Sequence, residues 1–151
     1  MDASVLSARA DEAAARCHAL SGQIQAAEKH LAETAVLKRH IVNYARTREV
    51  YAAYRKSGYS AKYRLEHEDE IALHRAAKQA FDALGVQKLP SVKSLNAQYA
   101  QLLGEKKAAY VEYRAAREEM RELMVHRKNL SLILQGDAKD VKGKKAEREG
   151  R

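Results

Sequence analysis

Histidine, cysteine and carboxylate side chains are the first places to look for chemistry, and the chain carries six histidines: His18, His30, His40, His67, His74 and His126. None falls in a His-x-His or His-Glu-x-x-His spacing, the patterns that bring two imidazoles to one metal ion. His67, Glu70 and His74 come nearest. Steps of three and four place them on one helical face, where two imidazoles and a carboxylate can ligate zinc. An acidic, polar helix yields the same spacing without a metal, and the reading favoured here is a solvated face on which Glu70 pairs with His74. Cys17 is the only cysteine; it sits in an alanine-rich helix start with Asp11 and Glu12 one to two turns before it, and it has no disulfide or ligand partner. Neither a glycine-rich phosphate loop nor a nucleophile elbow is present. The expectation is a non-enzyme with no catalytic residue, no metal and no cofactor.

A sharper pattern lies between residues 36 and 64. Lys38, Arg39, Arg46, Arg48, Arg55, Lys56, Lys62 and Arg64 stand there against Glu49 alone, so this segment holds +7 of the chain's formal charge of +8. Five of the 8 tyrosines share it: Tyr44, Tyr51, Tyr54, Tyr59 and Tyr63. Basic side chains contact phosphates and release counterions, and tyrosine rings stack on unpaired bases. Lys38, Arg39, Arg46, Arg48, Tyr54, Arg55, Lys56, Tyr59, Lys62 and Arg64 are accordingly the candidate nucleic-acid-binding residues. Arg48 and Arg55, seven apart, share a helix face that can lie along a phosphate backbone. The competing reading buries Tyr44 and Tyr51 and leaves the arginines to solvate the outside.

The elements that would position these residues are helices. Charged residues make up 32% of the chain, with no tryptophan, one phenylalanine, one proline and 7 glycines, a composition of long helices rather than of a sheet. Leu20, Ile24, Ala27, Leu31, Thr34, Lys38, Ile41, Ala45, Arg48 and Ala52 recur in steps of four and three, the period of a coiled-coil seam, with Tyr44 and Tyr51 one position ahead and able to take it over. Leu95, Tyr99, Leu102, Lys106, Ala109, Tyr113, Ala116, Met120, Leu123, Arg127, Leu130 and Leu134 repeat the pattern. Between them, Ile71, His74, Ala77, Phe81 and Leu84 form one stripe. Ser57-Gly58, Gly85 and Gly136 read as helix stops, and Ser60 and Ser91 as N-caps. The expected fold is all-α: an elongated antiparallel helical hairpin or coiled coil with a short middle helix forming a three-helix tip. Helices are expected at about 3–56, 61–84 and 91–135 in one module, 1–135, followed by a disordered basic tail, 136–151. An up-down-up bundle uses the same helices.

The segment Leu37-Lys38-Arg39-His40-Ile41-Val42-Asn43-Tyr44-Ala45-Arg46-Thr47-Arg48-Glu49-Val50-Tyr51, followed by Ala53-Tyr54-Arg55-Lys56-Ser57-Gly58-Tyr59-Ser60, resembles the C-terminal helical, coiled-coil region of relaxases, the mobilisation nucleases of Firmicutes conjugative transposons. His74-Arg75-Ala76-Ala77-Lys78-Gln79-Ala80-Phe81-Asp82, the connector Lys88-Leu89-Pro90-Ser91-Val92-Lys93-Ser94-Leu95, and Glu105-Lys106-Lys107-Ala108-Ala109-Tyr110 extend the likeness over roughly residues 24–135. The family's nuclease uses a tyrosine nucleophile beside a metal-holding histidine cluster, and no such cluster occurs in this chain. The resemblance implies an accessory helical module, a fragment or a stand-alone relative without the nuclease domain, used around transfer DNA or the transfer machinery.

Two functional classes follow. One is a basic module that binds DNA nonspecifically through its phosphate backbone or supports assembly with conjugative transfer proteins. The other is a coiled-coil interaction or structural module with no nucleic-acid role. The seams, interrupted by Lys38, Lys106 and Arg127, leave room for a homo-oligomer. Met1-Asp2-Ala3-Ser4 has neither the basic start nor the apolar core of a secretory signal, and no apolar run nears the ~18 residues of a membrane span. A cytoplasmic chain with no membrane partner is the expectation.

Overall fold

A computed structural model describes the backbone of residues 2–149 and the side chains of residues 2–136. Among the described residues the fold is all-α: α1 Ala3–Lys56, α2 Ala61–Glu66, α3 Glu68–Leu84 and α4 Val92–Glu149, with no strand. The chain divides into two compact units, Met1–Gln25 with Lys106–Arg151, and Ala26–Glu105. α1 and α4 each contribute to both.

The first unit is an antiparallel pair. Arg16 reaches Glu119 at 3.3 Å and Arg127 reaches Asp11 at 3.7 Å, so α4 advances as α1 retreats. The α1 seam begins earlier than the sequence reading placed it: Leu6, Ala10, Ala13, Cys17, Leu20 and Ile24 are all buried at alternating steps of four and three. Cys17 and Leu20 pack on Ala116, with Ala109, Tyr113 and Met120 closing over them. Burying Leu20 contributes on the order of 2 kcal/mol, and each exposed ion pair at most about 1 kcal/mol. In this unit the α1 and α4 seams thus face each other, and Arg127 on the α4 seam meets Asp11.

The second unit combines the rest of α1 with α2, α3 and the first turns of α4. Here the α1 seam steps back by one residue. Thr47 and Tyr54 are buried and Tyr44 and Tyr51 half-buried, while Ala45, Arg48 and Ala52 face solvent. The reason is the partner: α3 offers His74 and Phe81, and the large rings of Tyr44 and Tyr51 gain more by covering them than alanine would. Thr34 and Thr47, buried in this helix, donate their hydroxyls to the carbonyls of His30 at 2.8 Å and Asn43 at 2.6 Å, which satisfies them locally.

The stretch 61–84 is two helices rather than one. His67, at φ −127° and ψ 31°, divides α2 from α3. Its ring lies 4.3 Å from that of Tyr63, and Glu68, Asp69 and Glu70 complement the N-terminal dipole of the helix that starts there. Ile71, His74, Ala77 and Phe81 form the buried stripe of α3, but Leu84 is 62% exposed because the helix ends at once after it. Gly85 takes φ 66°, and the N–H groups of Gly85 and Val86 close on the carbonyls of Asp82 and Phe81. Ser91 caps α4 by accepting from the Ser94 N–H at 3.0 Å. The α4 repeat is buried or half-buried from Leu95 to Leu130, apart from exposed Tyr99.

Gly136 does not end α4, which is assigned through it to Glu149. Glycine inside a helix costs about 1 kcal/mol without terminating it. The expected disordered tail falls on residues whose side chains lie outside the described ones.

Candidate nucleic-acid interface

All ten sequence-predicted residues lie in the second unit. Arg39, Arg46, Arg48, Arg55, Lys56, Tyr59, Lys62 and Arg64 are exposed, Lys38 is half-buried, and Tyr54 is buried. None of the eight basic side chains makes an ion pair among the described residues. Unpaired cations concentrated on one unit create the field that an anionic partner would meet.

The arginines of α1 do not form a single stripe. At about 100° per residue, Arg39 and Arg46 fall on one flank of the Tyr44–Thr47–Tyr51–Tyr54 seam and Arg48 and Arg55 on the other, with Lys56 between them on the outward side. The two rows bracket the outer half of the helix. α2 then adds Lys62 and Arg64 after a four-residue connection.

Hydrogen bonds close that connection. The N–H of Gly58, at φ 71°, donates to the Arg55 carbonyl, and the N–H of Tyr59, at φ 61°, donates to the Tyr54 carbonyl, both at 3.1 Å. This pairing satisfies two carbonyls at the helix end. The Ser57 hydroxyl donates to the Tyr54 carbonyl at 2.6 Å and accepts from the Ser60 N–H at 3.1 Å, and the Ser60 hydroxyl accepts from the Tyr63 N–H at 3.4 Å.

Tyr54 corrects the sequence reading. It is 4% exposed and serves as the hub of the ring cluster, within 6.0 Å of Tyr51, 5.2 Å of Tyr59 and 6.3 Å of Tyr63, with the Arg75 guanidinium 5.7 Å over its face. A ring enclosed in this way has no face for a base. Tyr63 is tied down as well, its hydroxyl donating to the Val50 carbonyl at 3.2 Å. Tyr59 alone of the five rings is exposed.

The histidines are also rearranged. His74 is 5% exposed, not on a solvated face, and no ion pair joins it to Glu70 among the described residues. Its ring is sandwiched between Tyr44 at 4.5 Å and Tyr51 at 4.3 Å, and its Nδ1 lies 3.0 Å from the Thr47 hydroxyl oxygen. Burial first, and then the charge of Lys78, push its pKa below the ordinary histidine value. Among the described residues no group of three or more His, Cys, Asp or Glu side chains is placed to hold a metal.

Sequence reading missed one feature of this unit, an open groove of about 700 Å³ lined by Val36, Leu37, Ala80, Leu84, Val86 and Leu95 among others. No described helix is long and apolar enough to cross a membrane. Comparison with protein-family models, curated proteins and solved structures finds no match to this chain.

Proposed function

We propose that the chain is a non-catalytic accessory helical module of a mobilisation protein, which binds DNA nonspecifically through phosphate contacts made by its basic segment. The observation that carries this reading is the set of eight basic side chains in residues 36–64, without ion-pair partners among the described residues and seven of them exposed, on one compact unit. Charge of this kind contributes through counterion release and reads no sequence. The relaxase resemblance, in Leu37–Tyr51 above all, supplies the setting: transfer DNA, with conjugative transfer proteins as further partners.

A second reading has its own observation. The groove lined by Val36, Leu37, Leu84 and Leu95, and the exposed Leu132, Ile133 and Leu134 of α4, offer apolar surface to a protein partner. Salt separates the two. A mobility shift of duplex DNA that weakens steeply between low and physiological salt supports phosphate contact. A chain that shifts no duplex at low salt, and whose association with transfer proteins survives high salt, is an interaction module instead.

A further inference from the structure

The fold treats one ring of the basic segment differently from the other four. Tyr54 is 4% exposed and Tyr44, Tyr51 and Tyr63 are half-buried, but Tyr59 is 57% exposed. It is also the one non-glycine residue with positive φ among the described residues, at 61°, a left-handed backbone that a side chain disfavours. Such positions persist where surrounding structure holds them and recur at ligand-binding sites. The hold is visible. The Tyr59 N–H is bonded to the Tyr54 carbonyl, Gly58 and Ser57 are bonded on one side of it and Ser60 on the other, so the ring starts from a fixed backbone.

Its ring contact is with Tyr54, at 5.2 Å and 73° between planes. An edge-to-face pair covers at most one face of either ring, so at this exposure a face of Tyr59 is open to solvent. Arg55 and Lys56 precede the ring and Lys62 follows it, all exposed and none with an ion-pair partner among the described residues. An open aromatic face with cations before and after it in sequence suits a single nucleic-acid strand, in which a flat base lies between two phosphates.

We propose that Tyr59 is a stacking platform for one unpaired base, with Arg55, Lys56 and Lys62 receiving the phosphates that flank it. This deepens the DNA-binding reading and rests on it: the charge rows on α1 hold any strand, and Tyr59 makes the chain favour one that is unpaired. A helix-end apolar contact alone would need only a side chain lying on Tyr54, with no open ring face.

Fluorescence anisotropy with labelled oligodeoxyuridine, oligouridine and a duplex of equal length tests this on the full chain. Tyr59→Gly removes the ring and relieves the positive φ, Tyr59→Leu keeps an apolar contact to Tyr54 without a ring, and Tyr59→Phe keeps the face. Gly and Leu are expected to weaken single-strand binding by roughly 5- to 150-fold while duplex binding changes by less than about twofold, and Phe to retain wild-type affinity. A loss with both single strands assigns the site to the base, and a loss with one of them assigns it to that strand's sugar as well. Circular dichroism melts confirm which variants fold, and either ringless variant suffices. Wild-type single-strand affinity in a folded ringless variant, alongside a loss on replacing Arg48 and Arg55 by glutamine, overturns the stacking platform and leaves the charge-based reading standing. Failure of the wild type to bind any of the three probes at low salt overturns both.

Discussion

The Nδ1 of His74 lies 3.0 Å from the Oγ1 of Thr47, a hydroxyl that also lies 2.6 Å from the Asn43 carbonyl. The two side chains share a hydrogen bond whose direction is set by the imidazole tautomer. One buried bond thus links α1 to α3 at the centre of the tyrosine sandwich.

The burial of His74 predicts a pH dependence. The folded-state pKa of His74 lies below the ordinary value of 6.5, through burial and the charge of Lys78. Below 6.5 the unfolded chain takes up a proton at this position that the folded chain resists, so the stability is fully present above 6.5 and is lost as the pH falls toward the folded pKa. Thermal melts taken from mildly alkaline to mildly acidic buffer check it. The wild-type midpoint should fall more steeply below 6.5 than that of His74→Phe, which keeps a ring between Tyr44 and Tyr51 but cannot titrate. Parallel curves would remove His74 from the account.

Thr47→Val preserves shape and deletes the hydroxyl. The imidazole Nδ1 is then buried without a partner, at a cost of about 1–3 kcal/mol, whereas Thr47→Ser keeps the hydroxyl and should lose less than half of that. Urea unfolding of the two variants provides the comparison, and equal stabilities would contradict it.

The glycines divide by backbone. Gly58 and Gly85 hold φ 71° and 66° at helix ends, so alanine at either should destabilise by about 1 kcal/mol or more. Gly22 and Gly104 lie inside α1 and α4 with nothing within 4 Å of an added Cβ. Alanine there should stabilise by about 0.5–1 kcal/mol. Melting temperatures moving in opposite directions for the two pairs are the expected result.

The helices were legible because their seams have strong contrast. In α4 the alternation from Leu95 to Leu130 sets apolar residues against charged ones, and its stripe is buried or half-buried with the exception of Tyr99. In α1 the seam starts at Leu6, but Ala13-Ala14-Ala15 blurs the pattern, since neighbours on and off the stripe are alike. The shift of register at Tyr44 was visible only as an option, because it depends on what α3 presents across the interface. The break at His67 lies in its backbone, at φ −127° and ψ 31°, and periodicity carries no sign of it. For the candidate site, the sequence located the cations, whose exposure follows from their charge. It did not separate Tyr54 from Tyr59, because two rings five residues apart are distinguished only by the helix end between them.

The central claim is that the basic segment engages phosphates, and the salt dependence of duplex binding tests it most directly. Wild type is compared with Arg48→Gln/Arg55→Gln, which removes two charges from exposed positions on one flank of α1. If both arginines contact phosphates, the slope of log K against log salt becomes shallower by about 1.8, at roughly 0.9 per phosphate on duplex DNA. The same slope and affinity in both proteins, with the variant's helical circular dichroism intact, would contradict phosphate binding at this face.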